Sequence, residues 1–129
     1  MSELVGIPWV AGGRSYDGAD CWGVVKLAAE SLFGFTLPDY QYVPEPMRGT
    51  FIDAASGLNC WAKINAPAAG AVVVLAPKGW SAPTHVGIMV DNSRMLHSTD
   101  SKPNGSSRLN TIDQIEKVYT VIGYYKWQR

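Results

Sequence analysis

The sequence is poor in the residues that would make its chemistry easy to guess. Of its 129 residues only two are cysteine and two are histidine, and Lys plus Arg (11) balance Asp plus Glu (11) to a formal charge of zero. Two cysteines are too few for the disulfide framework of a small secreted domain, although Cys21 and Cys60 could still pair. Neither has a CxxC partner and His85 and His97 lack HExxH spacing, so no metal site and no cofactor is expected. Without net charge there is no long-range field to draw in nucleic acid or an anionic membrane, and nucleic-acid binding is not expected. Long apolar runs are missing too. The most apolar stretch, "AGAVVVLA" at 69 to 76, falls far short of the ~20 residues of a membrane-crossing helix, so no membrane insertion is expected. The N-terminus "MSELVGIPW" has no basic region followed by an apolar core, so an export signal is not expected either.

What is present is a chain of the size and composition of one folded domain, 47% apolar with five Trp and six Tyr. Neither a repeat nor a low-complexity linker divides it, and 1–129 reads as a single unit. "GIPWVAGGRSYDGAD" is a loop rich in glycine. Asp20 can cap a helix starting at Cys21, in which Cys21, Val25, Ala28 and Leu32 fall on one stripe and which Gly34 ends. "TLPDYQYVPEP" reads as extended loop, and "TFIDAASGLNCWAKI" as a weak, glycine-interrupted helical pattern that includes Cys60. From residue 71 the period changes. "AVVVLA" has the length of a buried strand, "THVGIMV" and "RMLHST" flank the turn-forming "DNS" as a hairpin, and "KVYTVIGYYKW" reads as a further strand. A helix followed by consecutive strands predicts an α+β domain with helices on one side of an antiparallel sheet.

Alternation along the hairpin sharpens this picture. Val86, Ile88 and Val90 share one face with Leu96, provided that the loop is of a length such as the three residues that pair 90 with 94. Under that register His85 and His97 share the other face. Gly87 lies between them, where a missing side chain would leave room for a substrate or a helix terminus. A thiol at a helix N-terminus and two imidazoles on one sheet face make a set with the right chemistry for nucleophilic catalysis. The helix terminus and an imidazolium lower the thiol pKa, His85 exchanges the proton, and His97 fixes the His85 tautomer. The plain alternative, a core thiol and a surface histidine, is equally open on patterning alone.

The residues also carry a family resemblance. "GIPWVAGGRSYDGADCWG" resembles the N-terminal signature of the NlpC/P60 cysteine peptidases and "THVGIMVDNSRMLHS" their histidine hairpin, in the same order and at the same separation of histidines. The resemblance implies a papain-like α+β fold with the Cys-bearing N-terminal helix packed on an antiparallel sheet. It also implies a Cys21–His85–His97 catalytic set acting through a thioester on peptidoglycan stem peptides, at the bond from D-glutamate to a diamino acid. Asp20 matches the family and would contact the free amine of the stem peptide, alongside its role as helix cap. Trp22 and Trp9 depart from it, standing where relatives carry a Ser after the Cys and a Tyr before the paired glycines. As substrate-binding residues the two tryptophans would narrow the groove and alter specificity. Gly70-Ala71 replaces the usual Gly-Asp. The "DCWG" variant and the short chain look most like peptidase domains of phage tails, which implies other tail proteins as partners and delivery to the wall within a particle. Two other readings are carried with it: a non-catalytic tail assembly module that keeps the fold, and an acyltransferase using the same thioester.

Overall fold

The computed structural model describes residues 1–39, 61–100 and 105–128. Cys60 and most of the two segments read as extended loop and weak helix lie outside them.

The helix α1, Cys21–Phe33, begins where the sequence predicts. The Asp20 carboxylate accepts the Gly23 N–H, and Gly34 closes the helix in the left-handed region at φ 72°. Its stripe of Cys21, Val25 and Ala28 is buried, with Leu32 packed at the margin. A two-residue ladder, β1 (Arg14–Ser15) with β2 (Gly18–Ala19), precedes it.

The remaining strands form one six-stranded antiparallel sheet. In chain order they are β3 (Trp61–Ile64), β4 (Val72–Pro77), β5 (His85–Met89), β6 (Arg94–Ser98), β7 (Ser107–Thr111) and β8 (Tyr119–Trp127), and across the sheet they run β3-β8-β4-β5-β6-β7. A short helix, α2 (Ile112–Glu116), joins β7 to β8. β4 is buried on both faces, which is why its sequence is a continuous β-branched run without alternation. The β5–β6 hairpin adopts the expected register, with Ile88 facing Leu96, Met89 facing Met95 and the Val90 N–H bonded to the Arg94 carbonyl at 3.0 Å. Asp91 ties the turn by accepting the Ser93 and Arg94 backbone N–H groups at 2.9 and 2.8 Å. Those bonds hold its carboxyl at about 2.

Two expectations change. Trp61–Ile64, which falls within the weak helical pattern of the sequence, is an edge strand paired with β8; a four-residue strand is too short for its period to be read against a helix. The helices also do not all lie on one side. Val72, Val74, Val86, Ile88 and Leu96 pack under α1, whereas Val73, Leu75, Met89 and Met95 pack with Ile115 of α2 on the opposite face.

The N-terminal segment covers the outer edge of the sheet. Gly6 N–H donates to the Ser107 carbonyl, Ser107 N–H to the Ile7 carbonyl and Trp9 N–H to the Gly105 carbonyl. Ser107 Oγ adds two bonds, donating to the Leu4 carbonyl at 2.6 Å and accepting from the Ile7 N–H at 2.9 Å. These bonds satisfy a strand edge that would otherwise be open to pairing, and they carry Trp9 to the end of the sheet where β5 begins.

Candidate active site

Strand alternation puts His85 and His97 on the α2 face of the sheet, and their rings meet there. His85 Nε2 lies 2.9 Å from His97 Nδ1, and His97 Nε2 lies 2.9 Å from Asn110 Oδ1. The rings stand edge to face at 5.2 Å, and Tyr119 of β8 stacks on His85 at 5.3 Å and 20°. Both imidazoles are buried, His85 at 6% and His97 at 3% exposure. Burial pulls the His97 imidazole below its ordinary pKa, and the charge of Arg108 acts in the same direction, while the bond to Asn110 opposes them.

Gly87 does not leave the space open. A side-chain carbon there would sit 2.7 Å from Met95 Sδ, so the absent Gly87 side chain admits Met95 instead of a substrate or helix end. A flexible thioether fills the gap between the strands more readily than any rigid group could.

The Cys21 thiol is 2% exposed at the first residue of α1, and Cys21 is not disulfide-bonded. The helix lies across the face opposite the imidazoles, but its N-terminal approach is tied to the end of β6 by Ser98 Oγ, which donates to the Ala19 carbonyl at 3.4 Å. Because β5 and β6 are antiparallel, that end of β6 is where β5 starts with His85. Cys21 and His85 therefore belong to the same end of the sheet. The helix reaches it because Gly23 lacks a side chain: a Cβ there would collide with the Gly13 carbonyl oxygen of the preceding loop.

Asp20 is engaged within the protein on both carboxylate oxygens. Oδ1 accepts from the Gly23 N–H at 2.9 Å and from Arg14 Nη1 at 2.8 Å, and Oδ2 accepts from the Gly12 N–H at 3.0 Å. Arg14 in turn reaches Asp39 Oδ1 at 2.7 Å through Nε. Helix cap and loop clamp are thus one group.

The two tryptophans separate. Trp9 joins His85, Tyr119, Thr84, Ser98 and Asp100 in lining a cavity of about 100 Å³ at the sheet end. Trp22 lies in the core, its indole N–H donating to the Pro38 carbonyl at 3.1 Å and its ring edge-on to Trp61 at 6.5 Å. The structure brings Trp9 and His85 together at the cavity, with His97 bonded to His85, and Trp22 is not among the residues that line it.

Sequence reasoning missed Asn110 and Tyr119. Asn110 sits on β7, whose "SRLNT" has no apolar alternation to mark it as a strand. A signal was nevertheless available one residue on, since Thr111 and Gln114 form a capping box that starts α2.

Comparison with known proteins bears on the family and the fold of the chain. The model of the NlpC/P60 family matches residues 6–122. The NlpC/p60 domain of the peptidoglycan hydrolase SagA superposes with a TM-score of 0.59 at 16% identity, covering 98% of this chain and 92% of that one. A protein described as similar to a lipoprotein of the NLP/P60 family, from Staphylococcus aureus subsp. aureus Mu50, superposes with a TM-score of 0.59 at 20% identity over all of this chain but 40% of its own length. At these identities the likeness is one of fold. No curated protein matches significantly.

Proposed function

Because the chain belongs to the NlpC/P60 family, we propose that it hydrolyses amide bonds in the stem peptides of bacterial peptidoglycan, with Cys21 as nucleophile, His85 as proton acceptor and donor, and His97 as the residue that orients His85. The observation that carries this reading is the hydrogen-bonded series His85–His97–Asn110, buried at the end of the sheet to which the N-terminus of α1 is tied. A buried imidazole pair with a neutral acceptor behind it suits proton exchange more than structure, since two apolar residues would fill the same volume without the desolvation cost.

In the reaction, His85 takes the Cys21 proton and the thiolate attacks the amide carbon. Collapse of the tetrahedral adduct forms a thioester and expels the amine, which takes the proton from His85; water then attacks the thioester and restores the thiol. The positive end of α1 favours the thiolate. Asp20 holds that helix end in place, and Trp9 offers an aromatic wall with a single N–H donor beside His85. The bond from D-glutamate to a diamino acid is the proposed target, and the Cys21–Trp22 pair supports a place among the phage-tail members of the family.

The test is incubation with purified peptidoglycan of several chemotypes and mass spectrometry of the released fragments, beside a Cys21→Ala control. New amine termini that depend on Cys21 are expected. Products joined to an added amine in place of water would instead mean acyl transfer. Absence of fragments from every wall type would favour a non-catalytic assembly module.

A further inference from the structure

The tautomers of the two imidazoles can be traced back to a group outside the proposed catalytic set. A backbone N–H can only donate, and that of Thr111 donates to Gln114 Oε1 at 2.9 Å. This contact identifies which end of the Gln114 amide is the oxygen. The same oxygen lies 3.3 Å from one end of the Asn110 carboxamide, which must then be the NH₂ group, because two carbonyl oxygens would repel. The other end of Asn110, its oxygen, faces His97 Nε2 at 2.9 Å and requires a proton on that nitrogen. In a neutral His97 the remaining nitrogen, Nδ1, carries a lone pair, and it lies 2.9 Å from His85 Nε2, which must therefore donate. Neutral His85 is then left with its lone pair on Nδ1.

We propose that the Thr111–Gln114 capping box, acting through Asn110, is a positioning device that holds His97 and His85 as Nε2–H tautomers and makes His85 Nδ1 the base nitrogen. The tautomers follow from the hydrogen-bond directions alone, and only the word base rests on the reading of the protein as a hydrolase. Each link has one permitted direction, since reversing any one of them sets two donors or two acceptors against each other. Gln114 is exposed and its hydrogen bonds go to Thr111 and Asn110, so its role is transmitted through the Asn110 amide. Among the described residues, the titratable and charged groups around the pair are Tyr119 from β8, stacked on His85, Asp100, which lines the cavity with His85, and Arg108, whose charge acts on His97 from β7.

Long-range ¹H–¹⁵N correlation of the imidazoles in ¹⁵N-labelled protein near pH 7.5 reads each ring nitrogen as protonated or bare, with or without activity. Wild type is expected to show both histidines protonated on Nε2 only. Gln114→Ala frees the Asn110 amide to turn over, and the contrast between the two His97 nitrogens should fall towards that of a tautomer mixture. Gln114→Glu keeps an acceptor for both N–H groups and should restore the wild-type pattern. Asn110→Asp presents oxygen at both ends, so His97 keeps its Nε2 proton while its titration midpoint rises by about 1–3 units through the added negative charge. A His97 protonated on Nδ1 in wild type, or tautomers unmoved by Gln114→Ala, would overturn the proposal. The expected tautomers in a protein that cuts no wall would count against the hydrolase reading alone.

Discussion

The two faces of the central sheet are built from the same strands and serve different ends. Under α1, Val72, Val74, Val86, Ile88 and Leu96 are fully or almost fully buried and carry no polar side chain. On the α2 side the same β5 and β6 present His85, His97 and Met95, with Tyr119 and Asn110 arriving from β8 and β7. Strand alternation makes this division automatic: one register choice decides both faces at once, so an error in the hairpin would misplace the core and the histidines together. The first face supplies stability through apolar burial, and the second spends part of its burial on polar groups that must be exactly paired.

Breaking the polar face should act on chemistry. His85→Ala is expected to lower wall-hydrolysing activity by a factor of about 10⁴ or more, as loss of a nucleophile's base does elsewhere, with a stability loss limited to about 1–3 kcal/mol from the unpaired His97 Nδ1. Steady-state rates on solubilised peptidoglycan together with a denaturation curve check both halves. A large loss of stability with activity per folded molecule retained would assign His85 to the core.

Breaking the apolar face should act on stability. Leu96 is fully buried, and Leu96→Ala should cost about 2–5 kcal/mol, measured by urea unfolding, with the rate per folded molecule preserved at low temperature.

Gly87 belongs to the α2 face, against Met95. Gly87→Ala forces Met95 to move, since three of its atoms would lie within 2.9 Å of the new carbon. Overpacking of this kind should cost about 1–3 kcal/mol, and pairing it with Met95→Ala should recover most of the loss in a double-mutant cycle.

The smallest effect sharpens the comparison through pH. His97 is held below the ordinary 6.5 by burial, so as pH falls the unfolded chain takes up the proton first and the folded state loses stability. The contribution is complete above pH 6.5 and declines as the pH drops towards the lowered His97 value. Asp91 does not confuse the window, because its carboxyl titrates at about 2. Unfolding free energies at pH 7.5 and 5.5 should therefore fall more steeply in wild type than in His97→Gln.

Local signals made half of this molecule legible. Asp20 and Gly34 mark the ends of α1 because capping chemistry involves only neighbouring residues. The turn "DNS" and the alternation of "THVGIMV" and "RMLHST" mark the hairpin for the same reason, and the observed pairing settles the loop length on which its register depended. The strands β3 and β7 were not legible, since such short segments at the margins of the sheet carry too few apolar residues to show a period. Asn110 was hidden with β7.

By itself, then, the sequence determined the capped helix that begins at Cys21 and, for a hairpin loop that pairs 90 with 94, the common face of His85 and His97, because both follow from spacings of a few residues acting through the fixed geometry of helix and strand. Only the tertiary structure decided that α1 covers the opposite face, that Met95 occupies the space at Gly87, that Trp9 reaches the cavity while Trp22 enters the core, and that Asn110 stands behind His97. Those outcomes depend on how separate elements stack and on which side chain fills a given gap, and no local spacing encodes a contact between residues that meet only after the sheet has closed over its core.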